Sequence, residues 1–117
     1  MEINVIDQGT YLTVQPVGEV DAHSSIVLDE KFTELIEAGK VNLHLDCGNL
    51  VYISSAGLGV IISHLDLINE QHGKLVVSRP NENVAEVLEL LGLNQLLAIV
   101  SDTEEVGAYF QENESIS

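Results

Sequence analysis

The sequence predicts an α/β domain in which a mixed β-sheet of about four or five strands packs against about four helices. Apolar residues recur at helical spacing in several separate segments, and short β-branched runs lie between those segments. The chain also begins with two adjacent extended segments, a pattern typical of a hairpin. A hairpin followed by alternating strands and helices indicates a sheet with both antiparallel and parallel strand pairs.

One domain accounts for the whole chain. Its 117 residues are too few for two cores of ordinary size, and the 45% of residues that are hydrophobic are enough to bury one core. We therefore assign residues 1–117 to a single domain with its core at about 3–110. Residues 111–117 are mostly polar and are expected to form a flexible tail.

The first two strands are predicted at residues 2–7 and 10–17, where apolar and β-branched residues alternate or run together. Gly9 lies between them and supplies the conformational freedom that a tight turn needs. The second strand is expected to continue briefly through residues 18–21, Gly-Glu-Val-Asp, before a helix begins.

The first helix is predicted from its ends and its apolar face. Ser24 or Ser25 is a suitable N-cap because a serine hydroxyl accepts a hydrogen bond from an unpaired backbone N–H. Gly39 occupies the position where a left-handed residue commonly ends a helix. The apolar face between these ends consists of Leu28, Phe32, Leu35 and Ile36.

The middle of the chain predicts a strand, a connection, a helix and another strand. Residues 41–46 alternate with period two, which indicates a strand with one buried face. A connection at 47–56 leads to a helix that ends at Gly73, and residues 74–77 form the next buried strand. The apolar face of the helix consists of Leu58, Ile61, Ile62, Leu65 and Ile68.

The last third of the chain predicts two helices around a short strand. A break at 79–81 precedes a helix that ends at Gly92, and residues 96–100 are a strand candidate. A final helix is predicted at 103–110. The apolar face of the first of these helices consists of Val84, Val87, Leu88 and Leu91.

The charge of the chain excludes several classes of partner. Lys and Arg number 4 and Asp and Glu number 19, which gives a formal net charge of −15. Nucleic acids and anionic membrane surfaces are bound by dense cationic patches, so neither is an expected partner. The acidity favours a basic partner or simple solubility.

The predicted location is the cytoplasm. No apolar run approaches the roughly 20 residues that span a bilayer. Residues 1–7 have neither the basic nor the apolar region of a signal peptide. Cys47 is the single cysteine and cannot form an internal disulfide, which fits a reducing compartment.

The connection at 47–56 is the first place to look for function, because functional residues of such sheets often lie beyond the carboxyl ends of strands. Ser54 and Ser55 stand at the predicted start of a helix, where unpaired N–H groups and the helix dipole favour negative charge. A phosphate on either serine would be well placed there. The simpler interpretation is that one serine caps the helix.

Small residues follow the two serines. Ala56, Gly57 and Gly59 leave the first turn of the helix flat, so that the backbone of a partner can approach closely. A glycine inside a helix costs roughly 0.5–1 kcal/mol relative to alanine. Two glycines in this turn therefore indicate a packing or binding role.

The same segment carries a resemblance to a known family. Residues 54–59, Ser-Ser-Ala-Gly-Leu-Gly, resemble the signature of STAS domains, specifically the bacterial anti-sigma-factor antagonists, in which Asp-Ser-(Ser/Thr)-Gly-Leu-Gly precedes an amphipathic helix. Residues 18–21 resemble the Gly-Glu-hydrophobic-Asp segment of that family. The spacing of proline, leucine and glycine over 80–93 is similar to its C-terminal part. The resemblance covers about residues 3–110 and implies a STAS-like single domain.

The resemblance implies a regulatory protein that is not an enzyme and needs no cofactor. Residues 57–59 fix the register, which places Ser55 on the phosphorylatable serine of the family. The unphosphorylated protein would bind an anti-sigma factor that is also a serine kinase, so that sigma factor is released. The kinase would then phosphorylate the antagonist with ATP, and a PP2C-type phosphatase would reverse the reaction.

The resemblance also implies which residues contact the partner. Asp21 matches an aspartate that lies beside the phosphorylation loop on the kinase-facing surface of the family. On charge grounds alone, Asp21 is equally well explained as an acid that caps a loop or a helix N-terminus. The predicted partner-binding residues are Asp21, Ser54, Ser55, Ala56, Gly57 and Gly59.

Two residues depart from the family pattern. Ser54 stands where the family usually has aspartate, and Ala56 replaces the second Ser or Thr. The first change removes a negative charge beside the acceptor loop. It also makes Ser54 a competing phosphate acceptor to Ser55.

Two alternative functions stay open. STAS modules also serve as interaction subunits of larger assemblies, including lipid-transport complexes and stress-signalling scaffolds, which need no phosphorylated serine. The second alternative is a small enzyme or ligand-binding domain that uses Cys47 or a histidine. Such a protein would have a substantial apolar pocket with a perturbed titratable residue.

No metal site is predicted, because no histidine has a second histidine at i+4 or lies in a His-Glu-x-x-His pattern. His44 and Asp46 share a strand face, which strand alternation explains without a ligand. A lone cysteine that ends a strand, such as Cys47, is expected to be a small buried apolar residue. The histidines are His23, His44, His64 and His72.

Overall fold

A computed structural model describes residues 1–115 of the chain. Within that range the chain forms a six-stranded mixed sheet and four α-helices, which confirms the predicted α/β class. The strands are β1 (Glu2–Asp7), β2 (Leu12–Val20), β3 (Asn42–Asp46), β4 (Leu50–Ile53), β5 (Lys74–Ser78) and β6 (Ala98–Val100). The helices are α1 (Ser25–Glu37), α2 (Ser55–Glu70), α3 (Glu82–Leu90) and α4 (Val106–Ser115).

The sheet has the order β1-β2-β3-β5-β6, and β4 pairs with the second half of β2. β1 and β2 are antiparallel, and the other pairs are parallel. The long strand β2 therefore has two successive partners on one side: Val14 lies opposite Leu45 of β3, and Val20 lies opposite Ile53 of β4. The register shifts between them, beside Gly18, whose φ of 93° is a left-handed conformation.

The two faces of the sheet are covered by different helices. One face packs against α1, α2 and α3 in the main core, and the other face packs against α4 in a smaller cluster. The sheet contributes Val14, Leu43, Leu45, Leu75 and Val77 to the main core, and Val76 and Val100 to the smaller cluster. Alternate residues of β3 and β5 thus point to opposite faces, as strand geometry requires.

The hairpin and two helix ends are confirmed. Gly9 has a φ of 92°, and its N–H donates to Asp7 Oδ1 at 2.8 Å, which closes the turn between β1 and β2. Gly39 and Gly92 have φ values of 81° and 73° just beyond α1 and α3, as expected for residues that end a helix.

Two predictions, about the second helix and about the connection that precedes it, need correction. The connection at 47–56 contains β4, a strand that its hydrophobic pattern does not predict. The second helix, α2, ends at Glu70, and the left-handed residue after it is His72, with a φ of 62°, instead of Gly73. Gly73 is required for another reason, because a Cβ atom there would overlap the backbone carbonyl of Val41.

The final helix is longer than predicted. A single 3-10 turn at Thr103–Glu105 precedes α4, which continues to Ser115. Residues 111–115, predicted as part of a flexible tail, are therefore helical. The rest of the predicted tail, Ile116 and Ser117, lies outside the described residues.

Candidate functional site

The two serines of the predicted site stand where β4 passes into α2, at the carboxyl end of a pair of parallel strands. The Ser54 N–H donates to the backbone carbonyl of Val20 at 2.8 Å. Asp21 follows Val20 directly, so the pairing of β2 with β4 brings Asp21 and the serines to one edge of the sheet. Residues that are more than thirty positions apart in the chain thus form one surface, as expected beyond the carboxyl ends of parallel strands.

Ser54 is the N-cap of α2. Its backbone is extended, with φ of −81° and ψ of 169°, and its hydroxyl accepts a hydrogen bond from the Gly57 N–H at 3.2 Å. Its carbonyl accepts the N–H of Leu58 at 3.0 Å. The capping interpretation is therefore confirmed for Ser54. Aspartate at an N-cap accepts the same type of bond, so the departure of this chain from the family pattern preserves the cap.

Ser55 differs from Ser54 in the surroundings of its hydroxyl. It is the first residue of α2, and its side chain is exposed, as is that of Ala56. Among residues 1–115, the Ser55 hydroxyl makes no hydrogen bond. It stands in the first helical turn, where backbone N–H groups lack intrahelical acceptors and the helix dipole favours an anion.

The two glycines of the segment have different roles. Gly57 is buried, and a Cβ atom on it would lie 2.7 Å from Val20 Cγ1 and 2.8 Å from Ile53 Cγ1. Gly59 is exposed, and a Cβ atom on it would meet nothing within 4 Å. Gly57 therefore allows α2 to pack closely on the sheet edge, whereas Gly59 leaves an open surface on the first turns of the helix.

Asp21 organises the turn that enters α1. Its carboxylate accepts the backbone N–H groups of His23 at 3.0 Å and Ser24 at 2.8 Å, and its own N–H donates to Ser24 Oγ at 2.9 Å. The backbone and side-chain hydrogen bonds from Ser24 hold the pKa of Asp21 below its ordinary value. The loop-capping interpretation of Asp21 is thus confirmed, and Asp21 is also exposed.

The same turn corrects the predicted cap of α1. Ser24 occupies the N-cap position, but its side chain makes no capping bond to the helix. Instead, the Ser24 hydroxyl accepts a hydrogen bond from the Asp21 N–H. The same hydroxyl lies 3.1 Å from the carbonyl oxygen of Glu19. Ser25 is the first helical residue, and its hydroxyl donates to the carbonyl of Ala22 at 2.8 Å.

The segments that form the site contain no lysine or arginine. Residues 18–30 and 50–70, which include the Asp21 turn, β4 and α2, contain no Lys or Arg. The same segments contain acidic residues on both sides of the serines. A negative group added at Ser55 would find no Lys or Arg in these segments, and the dipole of α2 would favour it.

A second cluster of polar residues lies on the other face of the sheet, on the side that α4 covers. His44 Nδ1 lies 2.9 Å from Thr13 Oγ1, and its Nε2 lies 2.6 Å from Ser78 Oγ. Ser78 Oγ donates to Asp46 at 3.4 Å, and Arg79 donates to the same carboxylate at 3.1 and 2.8 Å. The shared face of His44 and Asp46 is confirmed, but their partners on β2 and β5 were not predicted.

Cys47 and His44 are both buried, whereas His23 and His72 are exposed. Cys47 is 2% exposed, as expected for a buried apolar residue, and burial raises the pKa of its thiol to about 12, which leaves no reactive thiolate at neutral pH. Burial lowers the pKa of His44. In the described part of the chain, no cluster of His, Cys, Asp and Glu could hold a metal ion. No described helix is long and apolar enough to cross a membrane.

Comparison with known proteins matches this arrangement to a family. The family model of the STAS domain matches residues 2–106, which covers both the Asp21 turn and the β4–α2 junction. The chain belongs to the STAS domain family. The order of strands and helices around the serine pair is therefore that of a STAS domain, as the resemblance of residues 54–59 implies.

Relatives and solved structures extend over nearly all of this STAS domain. It is 24% identical over 104 residues to the anti-sigma-B factor antagonist of Staphylococcus epidermidis, a match that spans 89% of this chain and 96% of the relative. A crystal structure of a putative anti-sigma factor antagonist from Thermotoga maritima is similar with a TM-score of 0.88 and 23% identity, over 93% and 94% of the two chains. The Bacillus cell fate determinant SpoIIAA in its phosphorylated form has a TM-score of 0.74 and 15% identity, over 92% and 99%.

Proposed function

We propose that this STAS domain is an anti-sigma factor antagonist that binds a kinase-type anti-sigma factor around Ser55 and is released when Ser55 is phosphorylated. The contrast between the two serines carries the proposal: the hydroxyl of Ser54 is engaged in the helix cap, and that of Ser55 is exposed. Similarity to proteins named anti-sigma-B factor antagonists supports the class of partner.

The position of Ser55 suits a phosphate acceptor. A kinase must bring the hydroxyl to the γ-phosphoryl group in line, which requires a side chain that is accessible and not held by another bond. The first-turn N–H groups of α2 and the helix dipole then stabilise the negative charge of the product. Ser54 is the weaker acceptor, because its phosphorylation would displace the bond from the Gly57 N–H.

The charge of the phosphate explains how binding would end. A phosphoserine adds about −1.5 to −2 charges at pH 7. No Lys or Arg of residues 18–30 or 50–70 is present to neutralise it within the surface that faces the partner. Burying this charge in an interface without a paired cation carries a large desolvation cost. The complex is therefore disfavoured without any change in the fold of the antagonist.

The same surface accounts for the rest of the proposed cycle. Asp21, Ala56 and Gly59 are exposed around Ser55 and offer the kinase a flat contact with one fixed carboxylate. The kinase would supply the nucleotide, so this chain acts as a substrate and a binding protein and not as an enzyme. A phosphoserine on an exposed first helical turn is also accessible to a PP2C-type phosphatase that would restore the binding form.

The decisive experiment combines binding with phosphate mapping. The kinase-type anti-sigma factor of the organism that encodes this chain is titrated with wild-type protein and with Ser55→Asp and Ser55→Ala in a calorimeter. We expect Ser55→Asp to bind at least tenfold more weakly and Ser55→Ala to bind normally but to accept no phosphate. Ser54→Ala is the matched control and should still be phosphorylated, at Ser55, as read by tandem mass spectrometry.

Three outcomes would contradict the proposal. Equal affinity of Ser55→Asp and wild type for the kinase would contradict the proposed release by negative charge at Ser55. Phosphate on Ser54 in the wild-type protein would move the site by one residue. Absence of phosphate on protein purified from native cells in every growth condition, together with a stable co-purifying partner, would favour the interaction subunit of a larger assembly.

A further inference from the structure

An apolar groove lies between β4 and α3, next to the serine pair. It has a volume of about 410 Å³ and is lined mainly by Tyr52 and Ile53 of β4 and by Val84, Val87 and Leu90 of α3. The proposed switch uses none of these side chains. The groove adjoins the proposed site, because one of its lining residues, Ile53, directly precedes Ser54.

Two large side chains of the groove are unusually exposed for their type. Tyr52 is 48% exposed, and Leu90, the last residue of α3, is 76% exposed. Tyr52 lines the groove from β4, and Leu90 and Val87 line it from α3. Exposed apolar surface that is concave and rimmed by polar residues is typical of an interaction site.

The two elements that line the groove carry only negative charge, and Glu86 is the charged residue at its rim. The helix α3 carries Glu82, Glu86 and Glu89 and has no Lys or Arg, and β4 has no charged residue. Glu86 itself lines the groove. An occupant must therefore bring an apolar group for the floor and positive charge for the rim.

The charge of the chain decides between occupants. A second copy of this protein would bring 19 acidic side chains and only 4 basic ones to an acidic rim, which is electrostatically mismatched. Nucleic acid is repelled for the same reason. A protein segment with one large apolar side chain flanked by Lys or Arg matches both the floor and the rim.

We infer that this groove is a second contact for the anti-sigma factor, which inserts one large apolar side chain between Tyr52 and Leu90 and places a flanking Lys or Arg against Glu86. This inference rests on the proposed function, since it assigns the groove to the partner that binds at Ser55. The groove contact would hold a part of the partner that the phosphate does not touch. Affinity then depends on two adjoining surfaces, of which only one is switched.

The test uses four variants in the same calorimetric titration with the kinase-type anti-sigma factor. Leu90→Ser removes the apolar contact, and Glu86→Lys reverses the charge of the rim; both residues are exposed on α3, so folding is preserved. We expect each to weaken binding about tenfold, which corresponds to about 1.4 kcal/mol. The matched controls are Leu96→Ser, at a leucine that is 62% exposed, and Glu70→Lys, the last residue of α2.

The controls lie outside the groove: Leu96 borders a separate groove beside Gly73 and Asn69, and Glu70 is at the end of α2 opposite to Ser55. Normal binding by the controls and weakened binding by Leu90→Ser and Glu86→Lys would support the inference. Wild-type affinity of both groove variants would overturn it and leave the proposed function intact. Equal losses in all four variants would also overturn it, because the effect would then be general. Failure of wild-type protein to bind the kinase at all would overturn the proposed function and the groove contact together.

Discussion

The two glycines of α2 predict opposite effects of the same substitution. Gly57 and Gly59 lie two positions apart in the first turns of one helix, and alanine at either position removes the conformational cost of glycine. Only Gly57 faces the core. The pair therefore separates the packing contribution of a methyl group from its effect on helix propensity.

The contacts around Gly57 set the magnitude. A methyl group there would lie 2.7 Å from Val20 Cγ1 and 2.8 Å from Ile53 Cγ1, well inside van der Waals contact. Val20 and Ile53 are buried, β-branched strand residues, so neither side chain can rotate away freely. Overpacking of this kind costs about 1–3 kcal/mol, and the gain in helix propensity offsets about 0.5–1 kcal/mol of it. We expect Gly57→Ala to lose about 1–2 kcal/mol of unfolding free energy.

Gly59→Ala is the control with the opposite sign. The added methyl group meets nothing within 4 Å, so only the propensity term remains, and we expect a gain of about 0.5–1 kcal/mol. Urea denaturation followed by circular dichroism measures both variants. The two variants should differ by about 1.5–3 kcal/mol, which at roughly 4 °C per kcal/mol corresponds to about 6–12 °C in melting temperature. A Gly57→Ala variant as stable as Gly59→Ala would refute the close packing of α2 on Val20 and Ile53.

The remaining predictions concern the cap and the buried histidine. Ser54→Ala should lose about 0.5–2 kcal/mol of unfolding free energy, because the Gly57 N–H loses its acceptor, whereas Ser54→Asp should keep wild-type stability in the same urea titration. Burial lowers the pKa of His44, so the unfolded chain binds a proton more readily than the folded chain does. The free energy of unfolding should therefore fall as the pH is lowered from about 7 toward 5. His44→Gln should flatten that part of the profile; a slope that is unchanged in the variant would assign the pH dependence to another group.

Most elements of the fold follow from periodicity and turn residues, and β4 shows where that reasoning stops. Leu50 and Ile53 are buried while Val51 and Tyr52 between them are exposed, so the strand lacks the period-two pattern. β4 forms a strand because it pairs with residues 18–20 of β2, which lie beyond the residues of β2 that pair with β3. Sequence periodicity contains no information about such a non-local partner.

The sequence predicts that the two serines stand at the start of a helix, but it does not separate their roles there. Residue type alone makes both serines suitable caps and both suitable acceptors; the cap geometry assigns the first role to Ser54. In the same way, Ser24 was a suitable cap for α1, but Asp21 holds its hydroxyl. The polar cluster around His44 was missed because its members come from three strands, and only the register of β2, β3 and β5 brings them together.

The rigidity of the β4–α2 junction bears on how a switch at Ser55 can work. Three contacts fix the start of the helix: the Ser54 N–H to the Val20 carbonyl, the Gly57 N–H to the Ser54 hydroxyl, and the packing of Gly57 against the sheet. None of them involves the side chain of Ser55, which is exposed. A phosphate there therefore breaks no contact of the fold, and nothing in the junction would convert it into a movement. In the proposed mechanism the phosphate acts where it meets another molecule, so the proposed switch belongs to the interface and this chain keeps the same framework in both states.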